Sequence, residues 1–110
     1  MQLSEPKQQF INAWGTMASN WGISRSMAQV HAILLSSSVP LNTNQIMDEL
    51  QISRGSANTN LRELMDWELI WKIHKSGERL EYFEAEKDPW KIFKYIARAK
   101  KRKEIDPLLV

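Results

Sequence analysis

At 110 residues, 43% of them hydrophobic, the chain has room for one domain around a single modest core, and no second domain fits. It contains no cysteine, which excludes a disulfide framework, thiolate chemistry and a Cys-based zinc site; without a long apolar span or a secretory leader pattern, a soluble cytoplasmic protein with no membrane partner is expected. The net charge of +2 is mild, but Lys and Arg gather around Lys72 to Arg79 and from Arg98 to Lys103, and such clustering bears on polyanion binding more than the total does.

In chain order, Phe10, Ile11, Trp14, Met17 and Ala18 recur at helical spacing and predict an N-terminal helix over about 6–20. A second amphipathic segment carries Met27, Val30, Ile33 and Leu34. Both stripes are destined for the core or a dimer interface. Asn42 is placed to cap the next helix while Gln45, three residues on, reaches back to the Asn42 amide, the two halves of a capping box. Ile46, Met47 and Leu50 then give a helix from Thr43 to Leu50, too short to stand alone. Gln51 and Ile52 make a brief turn, and Ser53 is the N-cap of a further helix, Arg54 to Asp66, with Ala57, Leu61 and Leu64 inward. The pair, about 43–66, reads as a helix-turn-helix.

A hairpin follows over about 70–84. Trp71-Lys72-Ile73-His74-Lys75 alternates apolar and polar residues as a half-buried strand does, Ser76-Gly77-Glu78-Arg79 turns, and Leu80-Glu81-Tyr82-Phe83 returns. Gly77 permits left-handed geometry at the tip. Lys72, His74, Lys75 and Arg79 are expected to give the hairpin a cationic outer edge. The last helix, about 88–103, starts with Asp88 as N-cap and Pro89 at its first position. Its run Arg98-Ala99-Lys100-Lys101-Arg102-Lys103 is expected as a solvated end that offsets the macrodipole, in preference to a phosphate-binding arm. The fold class is therefore mainly α with a small β-hairpin (α+β), a winged helix-turn-helix occupying residues 1–110 as one domain.

On the helix begun by Ser53, the residues Arg54, Gly55, Ser56, Asn58, Thr59 and Arg62 face outward or sideways. The set is short, polar and rich in hydrogen-bonding groups, suited to a major groove about 12 Å wide. Arg54 and Arg62 match guanine or phosphate, Asn58 matches adenine, and Ser56 and Thr59 match a base or a phosphate. The first amides around Gly55 and Ser56 favour a phosphate oxygen. From the wing, Lys72, His74, Lys75, Ser76 and Arg79 complete the candidate DNA-binding set, with Arg79 the best single candidate for a minor-groove or phosphate contact. The competing readings are a solvated helix face and an Arg79 ion pair with Glu78 or Glu81.

Catalysis finds no support. There is no Gly-rich phosphate loop and no nucleophile motif, and Asp48, Glu49, Glu63 and Asp66 sit where helix surfaces need solvation. His31 and His74 are isolated, so neither a metal nor any other cofactor is expected. The tryptophans Trp14, Trp21, Trp67, Trp71 and Trp90 raise the idea of an aromatic cage for a quaternary ammonium ligand, although large aromatics are core far more often than cage.

The chain resembles the winged helix-turn-helix regulators of the multiple-antibiotic-resistance (MarR) type, most closely their GbsR-like branch. The matching elements are Trp21-Gly22-Ile23-Ser24-Arg25 leading into Val30-His31-Ala32-Ile33-Leu34-Leu35; Pro40-Leu41; Ile52-Ser53-Arg54-Gly55-Ser56 with Leu61-Arg62-Glu63-Leu64 and Trp67-Glu68-Leu69-Ile70; Gly77-Glu78-Arg79 with Tyr82-Phe83; and Arg102-Lys103-Glu104-Ile105-Asp106-Pro107. Together they span about Phe10 to Leu109. The resemblance implies a repressor of transcription that binds a roughly palindromic operator as a homodimer. It also allows a small-molecule effector, since the branch is associated with choline and glycine betaine metabolism; Trp14, Trp21 and Trp90 are the residues to watch. Similar proteins carry Gly where this chain has Glu68, and a non-Gly residue in that left-handed position costs on the order of 1 kcal/mol. They also continue into a further long helix that pairs subunits; here the N-terminal helix and the helix over 88–103 are the expected dimer surface. A reading of another class is a winged helix that serves as a protein-interaction module, its polar face and hairpin engaging an acidic partner without reading DNA.

Overall fold

The structure is a computed structural model that describes residues 5–109, the side chains of 104–109 excepted. The chain runs α1 (Glu5–Ser19), α2 (Arg25–Ser36), β1 (Leu41–Asn42), α3 (Thr43–Leu50), α4 (Arg54–Asp66), β2 (Ile70–His74), β3 (Glu81–Ala85) and α5 (Pro89–Leu109). The centre is α2, capped by the Ser24 hydroxyl, which accepts from the Met27 amide at 3.2 Å. Met27, Ala28 and every residue from Val30 to Leu34 are buried, so this helix is covered nearly all round. Ile11, Gly15 and Ala18 lay α1 along it, and Ile46, Leu61, Leu64 and Leu69 close the core from the helix-turn-helix side.

The capping box forms as the residues dictate. Gln45 N–H donates to Asn42 Oδ1 and Asn42 N–H donates to Gln45 Oε1, both at 2.8 Å. Three helix ends close with one device, in which a left-handed residue lets the next amide reach back to the carbonyl five positions earlier. Gly22 (φ 82°) sends Ile23 N–H to Ala18 O, Gln51 (φ 54°) sends Ile52 N–H to Met47 O, and Glu68 (φ 65°) sends Leu69 N–H to Leu64 O. Only the first of these has glycine. The structure thus places Glu68, side chain and all, in the left-handed conformation.

The hairpin acquires a third strand. The sheet order is β1-β3-β2, all antiparallel, with Leu41 opposite Phe83 and Asn42 opposite Tyr82. A two-residue strand carries no alternation, and Asn42 serves at once as strand end and helix cap. The pleat of the hairpin also corrects the expectation drawn from Trp71 and Ile73. Ile70 faces Ala85 and Lys72 faces Phe83, so the face that enters the core holds Ile70, Phe83 and Ala85, and Lys72 and His74 lie on that same face beyond the core's edge. Trp71 and Ile73 take the opposite, more open face, and Trp71 is 39% exposed.

The C-terminal helix continues six residues past its expected end at Lys103, to Leu109. The basic run therefore lies within the helix, where its charge cannot act on the α5 terminus. It is matched to the acidic end of α4 instead: Arg98 to Glu68 at 3.4 Å, Arg102 to Asp66 at 3.8 Å and Lys103 to Glu63 at 3.5 Å. Arg102 also donates to the Asp66 carbonyl at 3.1 Å, and the Lys103 ammonium stands 5.4 Å from the centre of the Trp67 ring. These cations oppose the negative end of the α4 dipole. Glu49, likewise expected as plain surface, is half-buried and paired with Lys7 of α1 at 3.5 Å.

Candidate nucleic-acid interface

The N-terminal half of α4 is set by Ser53, whose hydroxyl oxygen accepts from the Ser56 amide at 3.1 Å. From that cap Arg54, Gly55, Asn58, Thr59 and Arg62 stand exposed along one side and Ser56 is half-buried beside them. Ala57, Leu61 and Leu64 are buried opposite. Two side-chain amides outside the expected DNA-binding set brace this start. Arg54 Nη2 donates to Asn44 Oδ1 of α3 at 2.7 Å. Asn60, only 7% exposed, donates through Nδ2 to the Ser56 carbonyl at 2.9 Å and more weakly to Ser56 Oγ at 3.4 Å. Asn60 had left a signal, as a polar residue on the otherwise apolar inner face of α4. Asn44, within a capping turn, had left none.

The wing projects next to this helix. Glu78 N–H donates to the Lys75 carbonyl at 3.1 Å, closing a four-residue turn whose third member, Gly77, has φ 80°. Its cations do not form one edge. Lys72 reaches diagonally to Glu81 at 2.7 Å on the face it shares with His74, whereas Lys75 lies on the other face with its ammonium 4.0 Å from the centre of the Tyr82 ring. Ser76 and Arg79 are exposed at the tip. Glu81, one of two acids offered as a partner for Arg79, is thus engaged by Lys72. Among the described residues no ion pair involves Arg79, Arg62 or Arg54, so three guanidinium groups on the helix and tip keep their charge open to a partner.

A second feature lies on the side of the molecule built by α1 and α5. A groove of about 410 Å³ is lined by apolar residues, among them Trp14, Met17, Trp21, Ile92 and Phe93, with Lys87 the one charged group in its wall among the described residues. Phe10, Met17, Trp90 and Phe93 are exposed around it, at 40%, 57%, 69% and 48%. The three tryptophans singled out for a cage are each engaged by another ring. Trp14 stacks with Phe10, Trp90 stacks with Phe93, and Trp21 meets Phe93 edge-on. The Lys87 cation in the wall opposes a quaternary ammonium ligand. The Lys87 ammonium is held by carbonyls at the end of α2, those of Leu34 and Leu35 at 2.6 and 3.1 Å, and by that of the cap residue Ser37 at 2.8 Å. Burial lowers its pKa, and Glu84 acts in the opposite sense.

Below the groove, Trp14 Nε1–H donates to His31 Nδ1 at 3.2 Å. Burial, with a smaller contribution from the Lys87 charge, depresses the His31 pKa to about 4. Among the described residues no group of three or more His, Asp or Glu is placed to hold a metal ion, and no helix is long and apolar enough to cross a membrane.

No family model matches the chain, and no curated protein matches it in sequence. Solved structures do match. A crystal structure of a transcriptional regulator aligns with a TM-score of 0.74 at 20% identity, over 94% of this chain and 68% of that one. A possible transcriptional regulator from Methanosarcina mazei aligns at 0.63 and 11% identity, over 84% and 78%. A mutant of the Staphylococcus aureus protein MepR bound to an oligodeoxyribonucleotide aligns at 0.63 and 14% identity, over 92% and 75%. MepR is described as a transcription regulator of the multidrug efflux pump MepA. The likeness shows that the chain has the winged-helix fold of these regulators.

Proposed function

We infer that the chain is a sequence-specific duplex DNA-binding regulator of transcription, of the MarR type and closest to its GbsR-like branch, acting as a repressor. One observation carries this reading: α4 presents a row of small polar side chains between Arg54 and Arg62, with the unpaired Arg79 at the wing tip, and none of these guanidinium groups is neutralised by a neighbouring acid among the described residues. Short side chains admit base edges, and the flanking guanidinium groups match a guanine as well as a phosphate. The fold shared with a regulator captured on an oligodeoxyribonucleotide supports the same role. In this reading Ser53, Arg54, Gly55, Ser56, Asn58, Thr59 and Arg62 enter the major groove, and Ser76 and Arg79, flanked by Lys72, His74 and Lys75, approach the minor groove or the backbone.

The protein works as a homodimer without enzymatic activity, in the cytoplasm. Its two recognition helices address half-sites about one helical turn apart, which makes the operator roughly palindromic. The exposed apolar surface on α1 and α5 supplies the dimer contact, since such a patch left open to water is costly. An effector, where one acts, enters the groove, whose wall favours an apolar molecule without positive charge. The test separates the two kinds of contact. Arg62→Ala should relax sequence preference, whereas Arg79→Ala should weaken binding with less change in preference. Equal loss on specific and random duplexes from both variants contradicts the assignment and favours the protein-interaction module.

A further inference from the structure

The geometry points to Asn44 as a positioning residue for DNA readout: from the first turn of α3 it holds the Arg54 guanidinium, through the 2.7 Å bond to its Oδ1, in the orientation with which Arg54 meets the duplex. This rests on the DNA-binding reading above. Three observations lead to it. The bond joins two exposed side chains ten residues apart, on the two helices of the helix-turn-helix, so it fixes a side chain across the turn. Arg54 is the first residue of α4, at the end that enters a groove first. No acid pairs with Arg54 among the described residues, so its charge stays open for the bidentate guanine contact that base readout requires.

A neutral amide is the chemistry such a role requires. A carboxylate at position 44 would also accept from Arg54, but it would cancel the charge meant for DNA and repel the phosphates. An alanine would leave the long side chain to sample many rotamers, whose loss on binding opposes association. The Asn44 carbonyl restrains one N–H of the guanidinium fork, and the remaining donors stay free for a bidentate contact. The effect is therefore on discrimination and on Arg54 alone.

A double-mutant cycle tests this in the full chain. Asn44→Ala, Arg54→Ala and the double variant are titrated against the duplex that wild type selects from a random pool, and against duplexes carrying single base-pair changes. Asn44→Ala should lower discrimination roughly 5-fold, about the net value of one hydrogen bond, at the base pair that Arg54→Ala also relaxes. The double variant should lose no more than Arg54→Ala does alone. Asn44→Asp, which keeps the acceptor, should restore the discrimination ratio while lowering affinity for every duplex. The melting midpoint of Asn44→Ala should match wild type. Multiplying losses in the double variant would mean that Asn44 acts independently of Arg54, and would overturn the proposal. A lowered melting midpoint with unchanged discrimination would overturn it too, by showing a structural role. If wild type prefers no duplex over competitor, the DNA-binding reading itself falls and takes this inference with it; a wild type with a clear preference and an additive cycle removes only the inference.

Discussion

Trp14 donates its indole N–H to His31 Nδ1 at 3.2 Å, which fixes the imidazole as the neutral tautomer with its proton on Nε2. A second proton would have to displace the Trp14 N–H at Nδ1, and Nε2 is buried with no hydrogen-bond partner among the described residues, so charging the ring is unfavourable. The folded-state pKa, about 4, lies below the ordinary imidazole value of 6.5. Between these values the unfolded chain binds the extra proton. Stability is therefore full above pH 6.5 and falls as the pH drops, until both states are protonated near pH 4. The full shift corresponds to about 3 kcal/mol. Urea titrations from pH 7 to pH 4 should show this loss, and His31→Gln, which can still accept from Trp14, should flatten it. An unchanged pH dependence in that variant would place the acid sensitivity elsewhere.

The cations of α5 make a contrasting prediction. Arg98, Arg102 and Lys103 are matched to Glu68, Asp66 and Glu63, and their side chains are only partly exposed. Each such pair contributes less than about 1 kcal/mol, and the set is screened by salt. Replacing Arg102 and Lys103 by Gln should lower stability by roughly 1 kcal/mol at low salt and by less at high salt. The slope of log affinity against log salt on duplex DNA should not change, because a slope reports phosphate contacts. A slope reduced by about two would instead make these residues a phosphate-binding arm.

Much of the fold was legible because its signals are local. Asn42 with Gln45 and Ser53 with its helix announce two starts, and Gly77 announces the tip of the wing. What escaped depends on partners far along the chain. The pairing of Leu41 with Phe83 joins residues 42 positions apart, and the capping of α2 by Lys87 spans 50 or more. Trp71 and Ile73 showed an alternation that fits either face of the sheet, and the face was decided by Leu69 and Ile70 entering the core first. The basic run looked like a solvated terminus because its acidic partners lie on another helix. At the interface, the outward residues of α4 followed from helical spacing once Ala57 and Leu64 were turned inward. The bracing by Asn44 and Asn60 did not follow, since neither the position of α3 against α4 nor the rotamer of a buried amide can be read from spacing.

Glu68 occupies a left-handed position, φ 65°, that a side chain disfavours, and its only compensation among the described contacts is the half-exposed pair with Arg98 at 3.4 Å. Glu68→Gly should therefore raise stability by about 1 kcal/mol, since the relief of backbone strain exceeds the loss of an exposed ion pair. Glu68→Ala keeps the strain and loses the pair, and should be neutral or slightly destabilising. Thermal melts of the two variants decide the matter. A Gly variant less stable than wild type would show that the pair with Arg98 outweighs the strain.

Selection from a randomised duplex library at near-physiological salt, with sequencing of what the chain retains, tests the central claim most directly. Paired recognition helices that read bases predict enrichment of an inverted repeat, its half-sites separated by about one helical turn. Weak retention with no enriched sequence would contradict direct DNA readout by this chain, and would direct attention to a protein partner for the α4 face and the wing.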